Sequence, residues 1–164
     1  MKILMFNTHN PLKMSGIVTL DLFNQLKKEG HEVKLLVNSY SKDYPAGVIS
    51  VESFFLAKLK SIRSKFEWRI SKFKKVIKIK EKSPWDPDYA FYQLNEQKQI
   101  YKTRRLLEIA DIKPDITILL WVGNFINARN IYELYEETGA KILWLMYDMA
   151  PFTGGCHYAW ECKG

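Results

Sequence analysis

Four apolar runs limit what this chain can fold into: Ile3 to Phe6, Val33 to Val37, Ile116 to Val122 and Ile142 to Met146. Each is nearly continuous in apolar residues where a half-buried strand would alternate, so each reads as a strand covered on both faces, over Lys2 to Phe6, His31 to Val37, Ile116 to Val122 and Lys141 to Met146. Between the first two, Ile17, Leu20, Leu22, Phe23 and Leu26 recur at helical spacing, with Lys27 and Lys28 at the end and Gly30 as the stop. Strand, helix, strand in this order is a βαβ unit. Asn38 to Ser53 is polar, broken by Pro45 and Gly47, and reads as loop. Tyr92 to Ala110 returns to helical spacing, and Asn127 to Glu137 makes a further helix stopped by Gly139. Four doubly covered strands separated by helices predict an α/β fold: a doubly wound parallel sheet with helices on both faces.

Ligands bind such sheets at the carboxyl ends of the strands, where the chain breaks into loops. The first of these loops, after Phe6, contains His9 and ends in Ser15-Gly16. It lacks a full G-x-G-x-x-G and is no dinucleotide fingerprint. A glycine at a helix start still lets backbone N–H groups approach an anion such as a diphosphate, while the plain alternative is a tight-turn glycine. The last strand releases Tyr147-Asp148, then Pro151 and a Thr153-Gly154-Gly155 turn that carries Cys156 and His157. The alternative there is an ordinary Pro/Gly turn.

The net charge of +7 is unevenly placed. Lys58 to Lys82 holds eleven Lys/Arg against Glu67 and Glu81, a balance of +9, so the rest of the chain sums to −2. Phe54 to Ile79, which overlaps that segment, repeats Phe55, Leu59, Ile62, Phe66, Ile70, Phe73 and Ile77 at helical steps. That describes a basic amphipathic helix, able either to lie on an anionic membrane or to pack on the sheet with a solvated basic face. Lys65, Arg69, Lys72, Lys74 and Lys75 are its candidate membrane-facing residues. No nucleic-acid motif accompanies the charge, so no nucleic-acid partner is expected. No run reaches the roughly 18 to 20 apolar residues that cross a bilayer. The start lacks a signal-peptide cleavage site, which places the protein in the cytoplasm, with a peripheral position on the inner membrane face as an option.

Three stretches carry a family resemblance. They are Met1-Lys2-Ile3-Leu4 with Ser15-Gly16-Ile17 and Lys28-Glu29-Gly30-His31-Glu32-Val33; Asp115 to Val122 with Phe125-Ile126-Asn127; and Trp144 to Tyr158, which includes Tyr147-Asp148-Met149-Ala150-Pro151-Phe152-Thr153-Gly154-Gly155-Cys156-His157-Tyr158. Together they resemble the N-terminal half of glycosyltransferase family 4, retaining enzymes with two Rossmann-like halves (the GT-B fold), and within it a subgroup that builds bacterial surface polysaccharides. The resemblance implies that residues 1–164 form one acceptor-side domain, inactive alone, and that a nucleotide-sugar-binding half lies outside this chain. It implies a UDP- or GDP-sugar donor for the whole enzyme, a polysaccharide or lipid-linked acceptor, and no metal. It also implies roles: Asp148 and Tyr147 catalytic, Ser15 and Gly16 at the donor diphosphate, and His9, Trp121, Asn124, Thr153, Gly154, Gly155 and His157 on the acceptor side. Tyr147 stands where the family usually has histidine, and Ile118-Leu119-Leu120 replaces positions that are often histidine.

Cys156, Cys162 and His157 fall short of the four ligands of a structural zinc site, so free thiols or simple packing are expected. The alternative to the glycosyltransferase reading is a non-catalytic Rossmann-like module that binds a phosphorylated ligand, an anionic membrane or a protein partner through the basic helix.

Overall fold

The computed structural model describes residues 1–13, 16–52 and 99–147. Ser15, the basic segment with Lys65, Arg69, Lys72, Lys74 and Lys75, the start of the helix expected from Tyr92, and Asp148 to His157 lie outside the described residues.

The chain runs β1 (Lys2–Asn7), α1 (Ile17–Lys28), β2 (Glu32–Val37), β3 (Val48–Ser50), α2 (Thr103–Ala110), β4 (Ile116–Leu119), α3 (Ala128–Thr138) and β5 (Lys141–Trp144). The five strands form one sheet in the order β3-β2-β1-β4-β5. Every pairing is parallel, with Ile3 opposite both Val33 and Ile116. The predicted doubly wound α/β architecture is present.

Alternate residues of each strand feed two cores, because successive side chains point to opposite faces. Leu4, Phe6, Leu36 and Leu119 pack with Leu106 and Ala110 of α2 and Leu134 of α3. Ile3, Met5, Leu35, Val37, Ile118 and Leu120 pack with Phe23 of α1. Helices therefore cover both faces. Burial of β1 is nearly complete, with Leu4, Met5 and Phe6 at 0% exposure, as expected for the central strand of a parallel sheet.

Four local expectations need correction. Residues 48–50, within the stretch expected to be loop, form β3: Gly47 turns the chain at φ +97° and its carbonyl accepts from the Leu35 N–H at 2.8 Å. A Cβ at Gly47 would meet the Phe23 ring at 3.0 Å, so only glycine seats both the turn and the core beneath it. On α1, Ile17 is exposed and Thr19 is buried in its place, which rotates the expected apolar stripe by about half a turn at its start. Gln99 to Lys102 are not helical; Lys102 is extended and α2 begins at Thr103, because the chain there is held by contacts to α3.

The fourth correction concerns β5. Its apolar run was expected to be covered on both faces, yet Leu143, Trp144, Leu145 and Met146 are 37 to 53% exposed. Among the described residues β5 is an edge strand, paired with β4. α3 packs against it on one face, while α1, the described helix of the other face, lies over β2. Ile142 alone of the run packs on the core.

Candidate functional site

The chain moves from β1 outward to β2 and β3, then returns to place β4 on the other side of β1 and continues to β5. The loop after β1 leads to α1 on one face and the loop after β4 leads to α3 on the other. Two loops that diverge from adjacent parallel strands open a crevice at the strands' carboxyl ends.

Backbone bonds knit the floor of this crevice beyond the regular ladder. The Leu120 N–H donates to the Phe6 carbonyl at 3.1 Å, and the Thr8 N–H donates to the Trp121 carbonyl at 2.6 Å. The Thr8 hydroxyl donates to the Gly123 carbonyl at 2.8 Å. This pairing brings His9 onto Trp121: the rings stack with centroids 5.7 Å apart and planes 28° from parallel. Partial desolvation lowers the pKa of His9 from its ordinary value, which favours the neutral imidazole. Neutral imidazole offers one donor and one acceptor.

A second set of contacts holds the rim. Asn7 is buried and its amide donates to the His9 carbonyl at 3.3 Å. The Asn38 N–H donates to the Asn7 carbonyl, also at 3.3 Å. The Asn38 amide nitrogen donates to the Asn124 carbonyl at 3.0 Å, while its amide oxygen accepts from the Tyr101 hydroxyl at 2.9 Å. Asn124 is exposed at φ +58°, a left-handed conformation that Asn tolerates better than most residues. Tyr101 is wedged edge-on against Phe125, which leans on Phe6 of β1. The ends of β1, β2 and β4 are thus tied to one another and to the segment entering α2.

Behind the rim lies a buried polar cluster. Asn127 and Asn130 form a reciprocal capping box at the start of α3, each amide oxygen accepting the other's backbone N–H at 3.1 Å. Asn130 also donates to the Tyr101 carbonyl and the Thr103 hydroxyl, both at 2.9 Å. Thr103 in turn donates to Glu133 at 2.7 Å, joined by Gln99 and Arg129 at 2.9 Å. These donors, Thr103 first, hold the Glu133 carboxyl down to about 2.

The sequence-predicted residues divide accordingly. His9 and Trp121 touch, and Asn124 shares their rim. Tyr147 follows the neighbouring strand β5, half-exposed, with its phenol pKa raised by burial; it is a proton donor at neutral pH and no base. Gly16 is buried at the start of α1, where a Cβ would collide with the Asn10 carbonyl oxygen and come within 2.7 Å of the Pro11 Cα. Its N–H already donates to the Lys13 carbonyl at 2.7 Å. The glycine is therefore required by loop packing, and its own amide is engaged within the loop. Ser15, Asp148, Thr153, Gly154, Gly155 and His157 lie outside the described residues.

Asn7, Asn38 and Tyr101 are site residues the sequence reading missed. Asn7 and Asn38 carried a usable signal, each being the first polar side chain after a buried run. Tyr101 had none. Among the described residues no group of three or more His, Cys, Asp or Glu is placed to hold a metal ion. No described helix is long and apolar enough to cross a membrane. No family model, no curated protein and no solved structure matches the chain.

Proposed function

We propose that this chain is the acceptor-binding domain of a retaining GT-B glycosyltransferase, which moves a sugar from a nucleotide-sugar to a polysaccharide or lipid-linked acceptor. The observation that carries the reading is the His9–Trp121 stack beside Asn124, set at the point where a 3-2-1-4-5 parallel sheet reverses its order. The three motif stretches named from the sequence add to it. In this reading the bond from the anomeric carbon to the diphosphate oxygen breaks and one to the acceptor oxygen forms on the same face. The acceptor hydroxyl proton passes to the departing diphosphate. The domain's part is orientation of the acceptor, which lowers the entropic share of the barrier.

In this reading the catalytic pair is Tyr147, three residues after β5, and Asp148, its neighbour in sequence. Tyr147, protonated at neutral pH, suits a hydrogen bond to a sugar hydroxyl or a leaving oxygen. Thr153, Gly154, Gly155 and His157 complete the acceptor side in this reading, and Ser15-Gly16 the donor side. Because the Gly16 amide is engaged, the diphosphate would rely on later N–H groups of α1. The cytoplasmic and peripheral membrane assignments belong to the same proposal: the +9 segment supplies the electrostatic anchor.

The test is to express the chain with the remainder of its reading frame and supply UDP- and GDP-sugars with lipid-linked acceptors. Sugar transfer with retention is expected. A folded full-length product that transfers no sugar from any donor refutes the assignment.

A further inference from the structure

Asn124 reaches the rim from the turn between β4, which ends at Leu119, and α3, which starts at Ala128. Two side chains from other strand ends hold that turn. The Thr8 hydroxyl, just past β1, donates to the Gly123 carbonyl at 2.8 Å. The Asn38 amide, just past β2, donates to the Asn124 carbonyl at 3.0 Å. These two carbonyls belong to the peptide planes on either side of the Asn124 Cα. Fixing both planes fixes φ and ψ of Asn124, and with them the direction in which its side chain leaves the backbone.

The neighbours of Asn38 dictate which way its amide faces. A carbonyl only accepts, so the atom facing Asn124 is the amide nitrogen. The amide oxygen is left to the Tyr101 hydroxyl, which donates at 2.9 Å. Tyr101 thus keeps the donor end of Asn38 on the turn. The hold matters because Asn124 sits at φ +58°, a left-handed conformation that a residue with a side chain keeps only when its surroundings impose it. Released from Thr8 and Asn38, the turn could relax to negative φ and carry the exposed amide away from the rim. We propose that Thr8 and Asn38 are positioning residues for acceptor recognition: they pin the turn so that the Asn124 amide meets an acceptor hydroxyl in one fixed geometry. Both act through Asn124. This rests on the glycosyltransferase reading and deepens it, because it names the residues that set the acceptor contact.

The experiment uses the chain expressed with the remainder of its reading frame, a nucleotide-sugar that supports transfer and the lipid-linked acceptor. Thr8→Val keeps the side-chain shape and removes the hydroxyl. Asn38→Asp keeps the shape and the oxygen that faces Tyr101, but turns an acceptor toward the Asn124 carbonyl. Each is expected to raise the acceptor KM about three- to tenfold, the range of one neutral hydrogen bond, with kcat and donor KM within about twofold of the parent. Hydrogen exchange at residues 123–125 should quicken while β1 and β4 keep their protection. In an Asn124→Gly background, where the left-handed turn is unstrained and the amide is gone, neither variant should raise the acceptor KM further. A merely structural or electrostatic effect would persist in that background. Unchanged acceptor KM in Thr8→Val and Asn38→Asp, an equal rise with Asn124→Gly, or a donor KM that rises as much as the acceptor's would each overturn the proposal. Thr8→Val carries the test alone if Asn38→Asp lowers the melting temperature below the assay. If the parent transfers sugar and these kinetics fail, this inference alone falls. If the parent transfers none, the glycosyltransferase reading falls and takes the acceptor role of Asn124 with it.

Discussion

Gly16 shows at the residue scale how a motif residue acquires its identity from packing. Its φ of −87° is open to any residue, so backbone freedom does not select glycine there. The Asn10 and Pro11 backbone does, because it occupies the space a Cβ would take. Gly16→Ala is therefore expected to destabilise the fold by about 2 kcal/mol or more, as overpacking against backbone does, read as a lowered urea midpoint with unchanged slope. Glu133 gives a pH test. Its carboxyl is held at about 2 against an ordinary 4.5, so the stabilisation is fully present above pH 4.5 and fades as pH falls toward 2. Glu133→Gln should flatten the fall of the urea midpoint across that window; an unchanged acid limb would disprove the link. Asn130 is fully buried and serves three partners, so Asn130→Leu, close in volume, should cost about 2–3 kcal/mol through the stranded Thr103, Tyr101 and Asn127 groups.

At the scale of elements, legibility follows burial. β1, β2 and β4 were readable because the described chain covers them on both faces, leaving uninterrupted apolar runs. β3 was not, since three residues behind a Pro and a Gly hold no period, and only the ladder with Leu35 to Val37 makes them a strand. β5 was legible as a strand and misleading as a buried one. An apolar run states that a surface favours cover, and says nothing of which element provides it. Leu143→Thr is thus expected to change stability by less than about 1 kcal/mol, whereas Leu119→Ala, one strand inward at 0% exposure, should cost about 2–5 kcal/mol. The site divides the same way. His9, Trp121 and Asn124 follow strand ends and can be located by counting. The Tyr101–Asn38 bond spans 63 positions and leaves no trace in spacing.

At the scale of the whole molecule, charge and fold are separable. The +9 segment lies between β3 and α2, whereas the rest of the chain balances to −2. Binding to vesicles containing anionic phospholipid is expected to fall steeply between 50 and 500 mM salt, as screening shortens from above to below about 10 Å; equal binding to neutral vesicles would remove the electrostatic anchor from the proposal. One feature of the rim bears on this in a different way. The Val51 N–H is bonded to Val37 and the Tyr101 hydroxyl to Asn38, so the chain departs from and returns to two successive residues at the end of β2. Whatever intervenes begins and ends at one fixed doorway. With the two ends fixed side by side, the entropy of closing the intervening chain grows only with the logarithm of its length, so doubling that length should cost the described fold about 0.6 kcal/mol.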